Sequence, residues 1–571
     1  MLARVQSYVL QGIDALPCEV EVDFDIGSGG GGMGDTDKKR TMTVGLPDAA
    51  VKESIERVRS AMGNSGFFPQ SGHVLINLAP ADIRKEGPLY DLPIAIGLLI
   101  TQGAIGGQGL KPAVRDARAK RGLSVGAEGK GATGDKAGQK SFDPFEDAAM
   151  NDDAIARNGD ATEPLDHRQY LFAGELALDG RLRPIRGVIA MAALAKSRGL
   201  RGVVVPADNA AEAAVVPGVE SIGAATLAEV VGYLNGTLEP RAHPPADVTA
   251  LLAAGSATVD FAEVRGQEAV KRAIVVAAAG SHNLIMLGPA GTGKTMMARA
   301  LPGVLPPLTP EEAIDITRIY SAAGMMPTGA GLITVRPVRT PHHTASSAAI
   351  VGGGAIPRPG EISLAHRGVL FMDELPEFPR DVLETLRQPL EDHVVTIARS
   401  HSAVRFPASF MLVAAMNPTA KGDLPSDDFG RRQMDRYLAK LSGPLIDRID
   451  IHVEAPAVPW KQLSGTSEKE GTSSAQMRAA VLGARERQIK RQGPTTPNSR
   501  LSGRELDTFA PMTEDARTIL GQAITEMGLS ARAYDKIRRV SRTIADLVGA
   551  EVIGAEHVGE AVQYRLLDRK L

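Results

Sequence analysis

The stretch Gly288-Pro-Ala-Gly-Thr-Gly-Lys294-Thr295 decides how the chain is read. It fits G-x-x-x-x-G-K-[ST], a loop whose backbone N–H groups curl round the phosphates of a nucleotide. The pattern has force only between a strand and a helix. Asn283-Leu-Ile-Met-Leu287 before it is an apolar run of strand length, and Met296-Met-Ala-Arg-Ala-Leu301 after it consists of good helix formers. In this reading Gly288, Pro289, Ala290, Gly291, Thr292 and Gly293 wrap the phosphates of ATP. Lys294 reaches the β and γ phosphates, and Thr295 holds Mg²⁺. The bland alternative is a glycine-rich turn without a ligand.

Two further apolar runs end in polar residues. Gly368-Val-Leu-Phe-Met-Asp373-Glu374 reads as a buried strand with two carboxylates at its C-terminal end. In an open α/β sheet, ligands bind at that edge. Asp373 would hold Mg²⁺, and Glu374 would polarise the water that attacks the γ-phosphate. Phe410-Met-Leu-Val-Ala-Ala-Met-Asn417 ends in an amide that could orient the same water, or simply turn the chain before Pro418. Gly443-Pro-Leu-Ile-Asp-Arg448-Ile-Asp450 places one guanidinium among apolar residues. Arg448 either pairs with Asp447 or Asp450, or reaches a neighbouring subunit's γ-phosphate as an arginine finger.

With 571 residues the chain is long enough for three or four domains. The net charge of −3 excludes a polycation, so any nucleic-acid contact must use local basic elements. A single cysteine, Cys18, excludes an internal disulfide and a multi-thiolate zinc site. No apolar run reaches membrane-spanning length and no signal-peptide layout opens the chain, so a soluble cytoplasmic protein is expected. Strands are expected at Ala3–Leu10, Cys18–Phe24, Thr41–Gly45 and His73–Leu78, with helices at Asp48–Met62 and from Tyr90 to Ile100. A strand from Tyr170 to Leu178 should turn at Asp179-Gly180 into a hairpin with Arg181–Arg183. Residues 103–167 are rich in Gly, Ala, Asp and Lys with almost no apolar periodicity, a composition that predicts mostly disordered chain. The expected organisation is an N-terminal domain over 1–240, a linker over 241–259, an ATPase core over 260–456, a linker over 457–474 and a helical segment over 475–571.

Arg339-Thr-Pro-His-His-Thr-Ala-Ser-Ser347, Gly352-Gly-Gly354 and Pro359-Gly-Glu-Ile-Ser-Leu-Ala-His-Arg-Gly-Val-Leu-Phe-Met-Asp-Glu-Leu-Pro-Glu377 resemble the signature of the magnesium-chelatase-like AAA+ ATPases, and within them the bacterial ComM (YifB) group. Gly45-Leu-Pro-Asp48, Asn77-Leu-Ala-Pro-Ala-Asp82 and Arg84-Lys-Glu-Gly-Pro88 resemble that group's N-terminal domain. The likeness spans nearly the whole chain outside 103–167. It implies a multidomain α/β protein: a Lon-protease-like (ribosomal-protein-S5-like) α+β domain, an AAA+ core and a C-terminal helical lid, assembled as a homo-oligomeric ring, usually a hexamer. Lys294 and Thr295 match the Walker A positions, Asp373 and Glu374 Walker B, Asn417 sensor 1, Arg448 the arginine finger and Arg532 the sensor 2 arginine. Two pore-facing inserts are implied at Leu332–Ser363 and Val394–Phe406. The second carries Arg399, His401 and Arg405, cations that a DNA phosphate would meet, or simply a solvated hairpin surface.

The sequence departs from the family in two places. Pro418-Thr-Ala-Lys-Gly-Asp423 replaces a cysteine cluster found in many relatives. Where Lon proteases carry a serine and a lysine, Leu89 and Arg201 stand here, so no peptidase activity is expected. The function implied is an ATP-dependent DNA motor of the branch-migration type, acting on incoming DNA during recombination. The alternative is a magnesium-chelatase-type motor that remodels a protein partner.

Overall fold

The computed structural model describes residues 1–25, 41–68, 72–106, 162–354, 357–399, 402–418, 437, 439–458, 472–565 and 567. Strands are numbered in chain order. β1 (Leu2–Gln11) and β2 (Asp14–Asp25) form a long antiparallel hairpin, extended by β4 (His73–Ala79) and then, in parallel, by β3 (Thr41–Val44). Alternating residues such as Val5, Val20, Val22, Ile76 and Leu78 turn one face of this sheet inward. Helices Ala49–Asn64 and Asp91–Thr101 cover that face with Val58, Ile94 and Leu98. Asp48 caps the first of them by accepting the Val51 N–H at 2.8 Å.

A second sheet holds β5 (Tyr170–Phe172), β8 (Gly202–Pro206), β9 (Glu220–Ala224) and β10 (Ala242–His243), while β6 (Glu175–Leu176) pairs only with β7 (Leu182–Arg183). The expected single strand from Tyr170 to Leu178 is therefore two strands in two sheets. It breaks at Gly174, where a Cβ would stand 2.9 Å from Leu182 Cδ2. The stretch expected to be a linker contributes β10 and the helix Val248–Ala254. The segment 103–167 is packed at its described ends: Ile105 and Leu165 are buried, and Thr162 N donates to Gly236 O at 3.1 Å. Its centre, 107–161, lies outside the described residues, as does the glycine run 27–34.

The middle of the chain is a parallel sheet. β11 (Leu284–Leu287), β12 (Val338–Arg339), β15 (Val369–Met372), β18 (Met411–Met416) and β19 (Ile451–Glu454) stand in the order β12-β15-β18-β11-β19. Every residue of β11, β15 and β18 is buried, as a parallel strand covered on both faces requires. Leu284, Met286, Phe371 and Val413 face one core, with helix Glu268–Gly280 and the C-terminal helices. Ile285, Leu287, Met372 and Leu412 face the other, with helix Pro310–Ala323. Two hairpins stand off this body: β13 (Gly352–Gly353) with β14 (Arg358–Pro359), and β16 (Val394–Arg399) with β17 (Ser402–Pro407). The first implied insert, Leu332–Ser363, is thus too wide, because it includes β12 of the central sheet.

Helices Ser474–Gln492, Gly503–Phe509, Glu514–Met527, Ala531–Val548 and Ala555–Gln563 complete the chain. The short second one was not foreseen; Ser502 and Glu505 cap its start reciprocally. Among the described residues no helix is long and apolar enough to cross a membrane.

Candidate nucleotide site

Three adjacent strands deliver the site. β15, β18 and β11 are parallel, with Met372 opposite Ala414 and Leu287 opposite Met416. Their C-terminal ends therefore emerge together, carrying Asp373-Glu374, Asn417 and the loop from Gly288. Gly288 N donates to Met416 O at 3.1 Å, which extends the ladder into the loop. A Cβ on Gly288 would lie 2.1 Å from Ala455 O, so only glycine passes between these strands. Gly291 and Gly293 have φ of 80° and 86°, the left-handed conformation the turn needs.

Lys294, 7 % exposed, sits at the centre. Its Nζ donates to Gly288 O and Pro289 O, both at 2.8 Å, and to Asn417 Oδ1 at 3.2 Å. Burial lowers its pKa, opposed by Asp373 and Glu374. Thr295 Oγ1 donates to Asp373 Oδ2 at 2.8 Å. A hydroxyl beside a carboxylate is the hard-oxygen pair that Mg²⁺ takes, so these residues fit the metal. Glu374 has φ 51°, uncommon for a residue with a Cβ, and its carboxylate remains half exposed beyond the strand end.

Two residues at this edge were not singled out from the sequence. His343 Nδ1 lies 3.5 Å from Glu374 Oε2, its ring fixed between His342 and Phe378. Gln267, at φ 60°, sends Nε2 to Pro456 O at 2.7 Å and to Thr292 O at 3.4 Å, bracing the loop from behind. A paired His-His could have pointed to the first. Nothing local marks the second.

Arg448 and Arg532 are elsewhere. Arg448 O accepts from Asn283 Nδ2 at 3.0 Å, and Asn283 immediately precedes β11, whereas Gly288 immediately follows it. The strand's four residues span about 13 Å. The two arginines line one cavity of about 770 Å³ beneath the opposite sheet edge, with Asn283, Gly368 and Met411, and no residue of 288–295 lines it. Arg448 pairs with neither Asp447 nor Asp450: its Nη2 bonds Glu391 and its Nη1 donates to Pro444 O at 2.6 Å. Arg532 is exposed at the start of helix Ala531–Val548.

A buried polar network fixes that helix. Lys536 Nζ lies 2.9 Å from Asp450 Oδ1, and His282 bridges Asp450 (3.3 Å) and Thr543 (2.8 Å). Burial alone would raise the Asp450 carboxyl, but Lys536 and His282 hold it well below the usual carboxylate range. Asn498 continues the chain to Asp546 at 2.8 Å.

In the β16–β17 hairpin, Val395, Ile397, Val404 and Phe406 turn inward against Ile13 of the β1–β2 turn. Thr396, Ala398, Ala403 and Arg405 face outward. Arg399 is the last residue of β16, and His401 lies outside the described residues.

The sequence has relatives among known proteins. Residues 260–463 match the family described as magnesium chelatase, subunit ChlI; residues 471–565 match its C-terminal family; residues 34–111 and 154–209 match the family described as subunit ChlI of Mg-chelatase. The chain is similar to competence protein ComM of Haemophilus influenzae, 40% identical over 531 residues and 92% of each chain. An uncharacterised YifB protein of Salmonella typhimurium is 40% identical over 533 residues, again 92% of each. The magnesium-chelatase 38 kDa subunit of Rhodobacter capsulatus is 25% identical over 333 residues, 54% of this chain and 87% of that one. The chain thus belongs to the magnesium-chelatase-like AAA+ ATPases, in the ComM/YifB family.

Proposed function

We propose that the protein is an ATP-driven ring motor acting on DNA, with each ATP pocket shared by two subunits. The observation that carries the reading is the separation of Lys294 and Arg448 across the central sheet. A chain cannot bring its own Arg448 round to its own phosphate loop. In a head-to-tail ring the Arg448 face of one copy meets the phosphate-loop edge of the next, and a closed ring, a hexamer in this reading, leaves no unmatched face.

The loop 288–295 holds ATP, with Lys294 exchanging its carbonyl partners for phosphate oxygens. Thr295 and Asp373 would hold Mg²⁺, which when bound would supply positive charge beside the phosphates. Glu374 takes the proton side of the attacking water, and Asn417 orients it. Arg448 and Arg532 arrive from the neighbour and stabilise charge in the transition state. Their common cavity favours action of both in trans. The C-terminal helices are then the lid, and residues 1–240 a Lon-protease-like module without peptidase chemistry. There, Arg201 is consumed by an ion pair with Glu220 at 2.9 Å and Leu89 packs among apolar side chains.

The outward face of β16–β17, with Arg405, would contact DNA in the pore; Arg399 and His401 are further candidate cations from the sequence. Likeness to a protein named for competence is in keeping with a DNA role, and the role we propose is branch migration of incoming DNA in the cytoplasm. The purified protein should hydrolyse ATP faster with single-stranded or four-way-junction DNA, and Glu374→Gln should abolish turnover. An ATPase indifferent to every DNA form, with junctions left unresolved, refutes the DNA reading and favours a protein partner.

A further inference from the structure

The cavity beneath the lower sheet edge holds more positive charge than two trans-acting arginines require. Eight Arg and Lys side chains line it against five carboxylates. Three of those carboxylates are already engaged: Glu312 with Arg336 at 2.6 Å, Glu391 with Arg448, and Asp450 with Lys536. The inner wall differs. Arg485 donates to Ala278 O (3.1 Å) and Ser281 Oγ, and Arg500 to Ser409 Oγ, all neutral acceptors. Arg367 stands 3.8 Å from Glu312, which already serves Arg336. Among the described residues the buried Nε–H groups of Arg367 and Arg485 have no acceptor. His393 also lines the cavity.

Such a cluster is costly when left alone. Burial and Arg336 pull the Arg485 pKa down to about 10, and burial and Arg367 lower that of Arg500. A multiply charged anion with several acceptor oxygens would relieve the repulsion and satisfy the N–H groups together. A carboxylate from the chain would do so only in part.

We propose that Arg367, Arg485 and Arg500 form a phosphate-binding subsite, taking pyrophosphate or the phosphates of a nucleotide. It is separate from the loop 288–295 of the same chain, and it stands or falls independently of whether the protein acts on DNA. Its occupant is either free in solution or carried by the neighbouring subunit.

The test titrates inorganic pyrophosphate, without Mg²⁺, into full-length Lys294→Ala protein, whose own phosphate loop is disabled, and reads calorimetry and ³¹P line width. One site per chain is expected. Affinity should fall at least about tenfold in Arg485→Ala and Arg500→Ala, and less in Arg500→Lys, which keeps the charge but loses the planar fork. Arg517→Ala, at an exposed arginine that does not line the cavity, should bind as the parent does. Thermal melts of each variant separate lost binding from lost fold. No binding at millimolar pyrophosphate, or equal binding by folded arginine variants, overturns the proposal. Adding ATP-loaded Glu374→Gln chains distinguishes the sources. Release of pyrophosphate on assembly supports a neighbour's nucleotide as occupant, and retention supports a free phosphate.

Discussion

Replacing Asp450 by Ala should do more damage than any single change at the phosphate loop does to the fold. The Asp450 side chain is 9 % exposed and faces three groups: Lys536 Nζ at 2.9 Å, His282 Nδ1 at 3.3 Å and the Asn283 N–H at 3.2 Å. Removing it strands a buried ammonium. Breaking one side of such a pair costs about 3–5 kcal/mol, because the charge left behind keeps its desolvation penalty. For a unit of this size that is on the order of 10 °C in melting temperature. Removing both charges with Asp450→Ala/Lys536→Met should cost roughly half as much or less, since no unpaired ion remains. The functional consequence follows from helix geometry. Lys536 lies one turn after Arg532, so the anchor that holds Lys536 also aims Arg532. Differential scanning calorimetry of both variants, with ATPase assays beside it, measures the two effects. A single variant melting within 2 °C of the parent (about 1 kcal/mol or less by the same conversion), or a double variant no milder than the single, would refute the argument that this ion pair is buried and coupled.

Other expectations are simpler. Gly288→Ala would drive a Cβ to 2.1 Å from Ala455 O, so it should cost several °C in melting temperature as well as nucleotide binding, measured by calorimetry with and without ATP. His343→Ala frees the Glu374 carboxylate from its 3.5 Å neighbour, and should change turnover at saturating ATP while leaving nucleotide affinity within about twofold. His366 is held near a pKa of about 3 by burial and by Arg367, and its Nδ1 accepts the Ser409 N–H at 3.0 Å. Its folded pKa is depressed below the unfolded value of about 6.5. Between the two the unfolded chain binds the extra proton, so stability should fall as pH drops from about 6.5, by up to about 1.4 kcal/mol per pH unit. His366→Gln should flatten that part of a melting-temperature profile.

The central sheet was legible because its strands are buried on both faces and read as continuous apolar runs ending in polar residues. Loop, Asp373-Glu374 and Asn417 each announce themselves locally, and parallel pairing then brings the three ends together. β12 was not legible, since two residues carry no period. β10 was hidden by the prolines that flank it, Pro240, Pro244 and Pro245. The break at Gly174 depends on Leu182, a contact that residue spacing does not reveal. At the site, His343 and Gln267 reach the nucleotide edge from the loop after the short strand β12 and from just before a helix, so their roles come from tertiary placement alone. The same is true of Arg448: its motif marks an isolated guanidinium, but only the sheet shows that it stands at the edge away from Lys294, paired with Glu391 rather than its neighbours in sequence.

The most direct measurement mixes two inactive chains. Lys294→Ala lacks a working phosphate loop and keeps its arginine; Arg448→Ala keeps the loop and lacks the arginine. If pockets are shared between subunits, each protein alone is inert, and a one-to-one mixture regains activity at roughly a quarter of its interfaces, the share that random assortment round a ring makes productive. A mixture as inert as its components, or full turnover by Arg448→Ala alone, contradicts the shared pocket.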